Sequence, residues 1–570
     1  MLYIVSIVLA VFKMALIPVQ FSDQALESTD AQLIELAARA QDYFNDQIPA
    51  LGLEEGYGVE FTLLPRITLS RTLSYYGSNY SDRKDVLAYE AVREALRLSR
   101  DAVDFRDYDN DGDGVVDIVH LICAGEDESM GGAQHSIWPQ YDRLEAHGGR
   151  YNNGRAVFDA YTLASESCGL GIICHEIGHH LGLSDLYDSD GDGSGGLSQG
   201  LRSTSLMDWG CRNDKGKTPP NFAAPELDAL GKGTCLEPVK GSYVLEPVNL
   251  GGEYIRIPGE QDGEYFLLEC RDVKDWDSHI GGSGLVVYYV DKSSSPAGWS
   301  DILSRELSAA ERWANSQVNC NPGFECIRPL TGPDDDGSQA AIFFPGNGYS
   351  AIGQVGGPEL RSRNGRSTTL AITDIRRLQD GSVSFEIREP IIIRGSSIYQ
   401  DGATLRWSTD LGPDEIREYR VNWGNGDSSF STTAGPESRS CEITGLRSQG
   451  AYSASVSLIT RSGMEYRDSL SFITKFYRQG SYPYIYLGSG TGDSDLSLRG
   501  SDGSFIKGAR IPLKIYNAPE LRKCEWYFDG RRTGPDADGY FELNESGTLE
   551  ARLLFEDGHR ETIRKEITVR

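Results

Sequence analysis

The sequence predicts an α+β domain followed by a series of antiparallel β domains. Up to about residue 235, amphipathic segments with helical spacing alternate with buried apolar segments. Beyond that point, short alternating segments are separated by Gly, Asp, Pro and Ser turns, which is the pattern of antiparallel β structure. The chain has 570 residues with 65 glycines and 29 tyrosines. At roughly 100–200 residues per domain, this length indicates about three to five domains.

The elements of the first domain follow in chain order. The segment "ALIPVQF" is predicted to be a buried strand, and "TDAQLIELAARAQDYFNDQ" a helix with Thr29 or Asp30 as its N-cap. A second amphipathic helix is predicted in "RKDVLAYEAVREALRLSRDA", and a second buried strand in "VVDIVHLICAG". Residues Cys168 to Leu183 form a third predicted helix.

The change of pattern near Cys235 and the later turn clusters divide the chain into five segments. The predicted ranges are 1–13 (a truncated export signal or a hydrophobic start to the first strand), 14–235 (the α+β domain), 236–390 (β-sandwich), 391–475 (fibronectin type III-like) and 476–570 (Ig-like β-sandwich). Trp407 on an early strand and Tyr452 after a turn favour the fibronectin type III assignment. The last two modules carry no catalytic constellation, so they are interpreted as spacers or adhesive units.

The charge balance limits the partners. With a net charge of −29, the chain should repel nucleic acid and anionic membranes. The only long apolar run, Leu2 to Phe12, is too short to span a membrane, so no transmembrane segment is predicted. Ten cysteines without a CxxC motif argue against a cysteine zinc site, and Cys320 and Cys326 are spaced to close a short disulfide loop.

The strongest chemical signal is "HEIGH", which runs from His175 through Glu176 to His179. On a helix, positions i and i+4 share a face, so both imidazoles can reach one metal ion. Glu176 lies one step round and can act as general base on a zinc-activated water. The pattern extends through Gly182 to Asp185 as H-E-x-x-H-x-x-G-x-x-D, which is metzincin-like.

The third zinc ligand has two candidates. Asp185 has the spacing of the extended motif and an oxygen donor that zinc accepts. Glu226 in "NFAAPELDALG" is the alternative, on a short predicted helix from which a carboxylate could fold back to the metal. Between them "STSLMDWG" supplies Met207, the expected methionine of a turn beneath the metal. His180 points about 100° from His179 and is interpreted as structural.

Acidic loops predict calcium. "DYDNDGDGVVDIV" alternates carboxylates before a glycine turn, an arrangement that wraps oxygens around one cation. "DLYDSDGDGSGG" has the alternation without a closing carboxylate and predicts a second cation site. The predicted ligands are Asp109, Asp111, Asp113 and Asp117 for calcium, and Asp188, Asp190 and Asp192 for the second site.

These motifs together resemble the immune inhibitor A-like secreted zinc metallopeptidases. The resemblance rests on "HEIGHHLGLSDLYD", "SLMDWG", "DYDNDGDGVVD" and "SIWPQ", and it covers about residues 14–390. It implies a bacterial zinc endopeptidase, secreted or on the cell surface, made as a zymogen and stabilised by calcium. It assigns zinc binding to His175 and His179, catalysis to Glu176 and the turn to Met207.

The predicted function is hydrolysis of peptide bonds in protein or peptide substrates, with Zn2+ and Ca2+ as the metals. Two alternatives remain open. One is a catalytically silent, calcium-dependent adhesin, in which the C-terminal sandwiches bind a cell-surface or matrix ligand. The other is a zinc hydrolase of non-peptide bonds. Tyr187 and His180 are the weak candidates for stabilising the transition state.

Overall fold

A computed structural model describes residues 11–53, 57–81, 83–399, 402–426, 428–447, 450–474, 483–487, 504–516, 518, 521–556, 558 and 560–570. The chain forms two compact units, Met1–Arg388 and Glu389–Arg570. Most of the predicted N-terminal segment 1–13 therefore lies outside the described residues. In the described part of the chain, no helix is both long and apolar enough to cross a membrane.

The first unit opens with a mixed sheet flanked by helices. Its strands are β1 Val11–Gln20, β2 Gly58–Leu63, β3 Ile67–Thr68, β4 Val115–Val116, β5 Val119–Cys123, β6 Gln140–Arg143, β7 Tyr151–Asn152, β8 Val157–Phe158 and β9 Ala160–Ser165. Its helices are α1 Asp30–Asp46, α2 Leu73–Tyr76, α3 Ala88–Leu98, α4 Leu170–His180, α5 Asn213–Gly216 and α6 Ala224–Leu230.

The main sheet has the strand order β2-β1-β5-β9-β6, with β3 also paired to β1. The pairs among β2, β1, β5 and β9 are parallel, and β6 is an antiparallel strand at the edge. Buried on both faces, β1, β5 and β9 appear in the sequence as continuous apolar runs. Helix α1 begins as predicted at an N-cap, Thr29, which forms a capping box with Gln32.

The first unit continues with β structure. Its strands are β10 Thr234–Leu236, β11 Gly241–Leu245, β12 Glu253–Pro258, β13 Glu264–Arg271, β14 Gly284–Asp291, β15 Pro296–Ser300, β16 Arg305–Ser308, β17 Ile327–Pro329, β18 Ala371–Arg377 and β19 Val383–Arg388, with helices α7 Val248–Gly251 and α8 Ala309–Ala314. Two sheets have the orders β10-β12-β13-β14-β17 and β11-β19-β18.

Strands β13 and β14 join the two halves of this unit. Every residue of both strands is buried. Leu267 and Tyr288 contribute to the core of the α/β part, whereas Phe266 and Tyr289 contribute to the core of the β part. Residues 236–388 therefore share a core with residues 14–235 and do not form a separate compact unit. Cys320 and Cys326 are both buried and unbonded, so the predicted disulfide is absent.

The second unit is antiparallel throughout its named strands. These are β20 Ile392–Ile398, β21 Gly402–Ser408, β22 Ile416–Gly424, β23 Ser429–Ala434, β24 Ser440–Thr444, β25 Ala451–Thr460, β26 Glu465–Ile473, β27 Tyr484–Leu487, β28 Ala509–Tyr516, β29 Leu521–Phe528, β30 Arg531–Thr533, β31 Tyr540–Leu543, β32 Gly547–Phe555 and β33 Arg560–Ile567. The sheet orders are β20-β21-β24, β23-β22-β25-β26, β27-β28-β31 and β30-β29-β32-β33.

The first two of these sheets form a sandwich with immunoglobulin-like features. Trp407 of one sheet packs on Tyr419 of the other, with ring centroids 5.2 Å apart. The Tyr452 hydroxyl accepts a hydrogen bond of 2.9 Å from the backbone N–H of Arg447, which is the tyrosine corner of such folds. Part of the last module, residues 476–482 and 488–503 among them, lies outside the described residues.

Candidate metal centre

Helix α4 presents the two histidines of the HEIGH motif side by side. The imidazole rings of His175 and His179 lie with centroids 4.8 Å apart and planes nearly perpendicular. The helix ends as the sequence predicts, because Gly182 adopts a φ of +102°, a region that favours glycine. This turn directs the chain back, and the Leu183 N–H donates to the Gly178 carbonyl at 3.1 Å.

The turn after α4 brings a carboxylate to both histidines. Asp185 Oδ1 lies 3.2 Å from His175 Nε2 and 3.2 Å from His179 Nε2. Zinc binds N and O ligands at about 2.0–2.2 Å with tetrahedral angles, which places two ligand atoms about 3.3 Å apart. The observed spacing therefore matches three ligands of one tetrahedral ion.

Backbone carbonyls determine which imidazole nitrogen carries the proton. His175 Nδ1 lies 3.0 Å from the Leu206 carbonyl oxygen, and His179 Nδ1 lies 2.9 Å from the Leu183 carbonyl oxygen. A carbonyl oxygen can only accept, so each Nδ1 must donate its proton to it. In the neutral imidazole, Nε2 is then left with a lone pair on the side of Asp185, as a metal-ligating imidazole requires.

Asp185 itself shows that the residues fit a cation. Its Oδ1 is buried and has no hydrogen-bond partner in the structure. Burial acts to raise the pKa of Asp185, but the neighbouring imidazoles outweigh it and hold the pKa well below its usual range. An ionised, buried oxygen beside two imidazole lone pairs is a donor set that zinc accepts.

Glu176 lies on the same helix, one residue after the first histidine, and is buried. Burial raises its pKa to about 7, against the lowering influence of His175 and His179. A carboxylate with a pKa near neutrality is suited to accept and return a proton at physiological pH. This is the protonation behaviour that the sequence assigns to Glu176.

Met207 lies in the turn beneath helix α4, and Glu226 of helix α6 contacts that turn. A Cβ placed on Gly178 of α4 would stand 2.7 Å from Met207 Sδ, so the methionine packs directly against the helix. Glu226 is not part of the cluster that His175, His179 and Asp185 form. Its oxygens accept hydrogen bonds from Ser205 Oγ and from the Met207 and Ala223 N–H groups instead. Glu226, the alternative third ligand of the sequence prediction, therefore lies outside this cluster.

Comparisons with known proteins identify the domain that carries this centre. Residues 37–229 match the family described as immune inhibitor A peptidase M6, catalytic domain. The pre-pro-metalloprotease PrtV of Vibrio cholerae is 34% identical over 155 residues, and immune inhibitor A of Bacillus thuringiensis is 34% identical over 170 residues. The chain carries an immune inhibitor A-like metallopeptidase domain.

The likeness to these relatives is confined to a part of each chain. The match to PrtV covers 22% of this chain and 17% of PrtV, and the match to immune inhibitor A covers 26% and 24%. Among solved structures, the sixth fibronectin type III domain of human fibronectin type III domain containing protein 3 is 22% identical over 16% of this chain, with a TM-score of 0.14. The fibronectin type III domain of human collagen α-1(XX) is 18% identical over 16% of this chain, with a TM-score of 0.15.

An acidic loop of the peptidase domain lies between α3 and β5 in the chain. Carboxylate oxygens of Asp109, Asp111 and Asp117 all lie within 4.8 Å of one another. Asp109 Oδ1 is buried without a hydrogen-bond partner, and burial raises the pKa of Asp117. Asp113, the fourth predicted ligand, is exposed and accepts from the Val115 N–H at 2.8 Å.

At the second predicted cation loop, the residues that come together differ from the three predicted ligands. Asp188 and Asp190 group with the thiol of Cys320, with ligand atoms within 4.8 Å of one another. Asp192 is exposed and lies outside this group. Cys320 Sγ also lies 3.1 Å from Ser189 Oγ. A thiol is a poor ligand for calcium, which prefers oxygen donors.

Two backbone contacts of the metal centre could not be found by motif reasoning. The Leu206 and Leu183 carbonyls act through the backbone, so residue identity carries no signal for them. Tyr187 lies with its ring 6.0 Å from that of His175. His180 is packed near Phe12 and Tyr141, and burial lowers its pKa to about 4.

Proposed function

We propose that the chain is a zinc endopeptidase in which His175, His179 and Asp185 hold the metal and Glu176 is the general base. The single observation that carries the proposal is the orphaned Asp185 Oδ1, equidistant at 3.2 Å from two Nε2 atoms whose tautomers are fixed. The family match to metallopeptidases supports the same chemistry.

Zinc held by these residues would supply Lewis acidity, polarising a carbonyl and lowering the pKa of water. The chain's own residues move the proton. Glu176, with a pKa of about 7, accepts a proton from the attacking water and delivers it to the departing amine. The Leu206 and Leu183 carbonyls keep His175 and His179 in the tautomer that binds metal through Nε2.

The substrate peptide is proposed to bind along the edge strand β6. Among the described strands, β6 pairs only with β9, so one of its edges has unpaired backbone groups. Tyr141 of β6 lies with its ring 6.5 Å from that of His179, so this edge runs beside the metal centre. An extended peptide can add to such an edge through backbone hydrogen bonds, independently of its side chains. This supports cleavage within protein chains.

The loop that contains Asp109, Asp111 and Asp117 is assigned to one structural calcium ion. The buried, unpartnered Asp109 Oδ1 supports it, because clustered carboxylates repel one another without a cation. Asp113 completes the motif in sequence and can turn towards a bound ion. The group of Asp188, Asp190 and Cys320 contains a thiol, so the proposal keeps calcium to the first loop.

A location outside a bacterial cell, by secretion or at its surface, is part of the proposal. The bacterial relatives support it. The net charge of −29 is consistent with a protein that avoids nucleic acid and anionic membranes. Comparing the chain's abundance in the culture medium, at the cell surface and in the cytoplasm of its host tests this point.

Cleavage of casein or gelatin, with and without a chelator, tests the enzymatic function. The wild-type chain loaded with zinc should cleave and should stop when the metal is removed. Glu176→Ala should lower kcat by about 10²–10⁴-fold while zinc still binds. The exposed Glu306→Ala is the matched control and should match wild type. Equal inertness of wild type and Glu176→Ala with zinc bound would instead favour the calcium-dependent adhesin.

A further inference from the structure

The turn beneath the metal centre, residues 204–207, is held by buried charges that do not belong to the metal cluster. Glu226 is 1% exposed, and its Oε1 accepts from Ser205 Oγ at 2.6 Å and from the Met207 N–H at 3.1 Å. Its Oε2 accepts from the Ala223 N–H at 2.6 Å. Oε1 is therefore used by the turn, and Oε2 by the N-terminus of helix α6.

A second charge holds the other end of the same turn. Arg271 of β13 is 0% exposed, and its Nη1 donates to the Thr204 carbonyl at 3.1 Å. The guanidinium is fixed by Glu269 at 3.1 Å and by Asp277 at 2.6 and 2.9 Å. The Tyr288 hydroxyl links Glu269 back to the turn, at 2.8 Å from Glu269 Oε1 and 3.2 Å from Thr204 Oγ1.

The groups bonded by Glu226 and Arg271 lie on both sides of the carbonyl that sets the tautomer of His175. Leu206 O, which accepts from His175 Nδ1, lies between Thr204 and Met207, whose backbone groups are bonded by Arg271 and Glu226. The Met207 N–H belongs to the same peptide plane as the Leu206 carbonyl, so its bond to Glu226 orients that carbonyl directly, whereas Arg271 fixes the peptide plane of Thr204 two units before it. Both are charge-assisted hydrogen bonds in a buried environment, where such bonds are strong. Arg271 lies outside residues 37–229 that match the peptidase family.

We propose that Glu226 and Arg271 are positioning residues of the metal centre, which orient the Leu206 carbonyl and so hold His175 with its Nε2 lone pair towards Asp185. The inference rests on the proposed zinc peptidase function. In this proposal the β structure after residue 235 also contributes to the metal centre, because its strand β13 carries Arg271, one of the two positioning residues. Partners that orient a ligating histidine typically change metal affinity by 10–100-fold when they are removed.

The test is the zinc dissociation constant of the full chain, measured by competition with a chromophoric chelator in the absence of substrate. Glu226→Gln loses one of its two acceptor oxygens, and Arg271→Lys keeps the charge but loses the planar fork. Both should weaken zinc binding by about 10–100-fold. Because a buried arginine cannot be a metal ligand, the Arg271 variant separates positioning from direct ligation by Glu226.

Matched controls come from buried charges elsewhere in the same unit. Arg312 is also 0% exposed and donates to the carbonyls of Ala297 and Gly298, so Arg312→Lys disturbs the fold without touching the turn. Glu264→Gln changes a buried glutamate of the same strand β13. Both controls should bind zinc within twofold of wild type even if their melting temperatures fall.

A spectroscopic readout covers the case in which the stronger variants do not fold. Cobalt substituted for zinc reports ligand geometry through its visible absorption. Ser205→Ala, which removes only the hydroxyl between Glu226 and the turn, should fold, alter this spectrum and weaken zinc binding by up to about 10-fold. Zinc affinities and cobalt spectra equal to wild type in all folded variants would overturn the inference.

The outcome is separable from that of the proposed function. A wild-type chain that binds zinc but cleaves no protein would overturn the peptidase activity and leave the positioning measurement valid. Equal zinc affinity across the variants, with active wild type, would overturn the positioning role alone. Failure of wild type to bind zinc would overturn both.

Discussion

Replacing Gly178 by alanine tests the packing of the turn methionine against the zinc helix. The new Cβ would stand 2.7 Å from Met207 Sδ, 3.5 Å from Met207 Cε and 3.6 Å from Leu183 Cδ1. A comfortable contact is about 3.5–4.0 Å, so the sulfur must move by about 1 Å. Met207 is fully buried, and the turn that carries it must therefore shift as well.

Two opposing terms set the size of the effect. Alanine is favoured over glycine within a helix by about 1 kcal/mol. Overpacking a filled core costs about 1–3 kcal/mol. Gly178→Ala should therefore be destabilising by up to about 2 kcal/mol, whereas the propensity term alone would make it stabilising.

Scanning calorimetry of the full chain, with a chelator present so that zinc binding does not contribute, measures the change. Gly251→Ala is the control, because its Cβ would meet nothing within 4 Å. In a Met207→Ala background the clash is gone, and Gly178→Ala should then be stabilising, which gives a coupling of about 1–3 kcal/mol. A gain in stability from Gly178→Ala that is the same in both backgrounds would refute the proposed packing.

Three further predictions concern pH, calcium and the second unit. Burial raises the pKa of Asp85 to about 7, so the stability that its protonated form contributes is complete below about pH 4 and is lost as pH rises through about 7. At pH 8, Asp85→Asn should increase the free energy of unfolding of the first unit by up to about 4 kcal/mol and raise its melting temperature. At pH 4 both should be unchanged, and no gain at pH 8 would contradict this. In metal-stripped chain resupplied with zinc, added calcium should raise the same transition by a few degrees, and Asp117→Asn should abolish the increase; a wild-type response in the variant would argue against this loop. Tyr452→Phe removes the acceptor of the Arg447 N–H and should cost the second unit about 1–3 kcal/mol; a change in peptidase activity would be unexpected.

The local features of the metal centre could be predicted because they depend on residues close in sequence. The spacing of His175 and His179 fixes their common face, and Gly182 fixes the end of the helix. Asp185 follows His179 closely in the sequence, so the extended motif could propose it as a ligand. The continuous apolar runs of β1 and β5 likewise predicted strands buried on both faces.

What could not be predicted depends on contacts between distant residues. The sequence favours Asp185 by its motif spacing but leaves Glu226 open as a zinc ligand, and the hydrogen bonds of Glu226 to Ser205 and Met207 appear only in the structure. Cys320 approaches Asp188 from 132 positions away along the chain, which no local spacing reveals.

The sequence around Arg271 contains a signal for a buried polar network. Glu269 and Arg271 are opposite charges two residues apart in a largely apolar strand, and they share one face of it. Charges in a buried strand need partners, so such a pair points to a buried polar network. The network that it marks reaches the turn of the metal centre.

An anomalous difference map at the zinc edge, from crystals of the zinc-loaded chain, tests the metal centre most directly. We expect one peak about 2.0–2.2 Å from His175 Nε2, His179 Nε2 and an Asp185 oxygen, with Glu226 still bonded to the turn. A peak coordinated by Glu226, or the absence of zinc between the two histidines, would contradict the assignment.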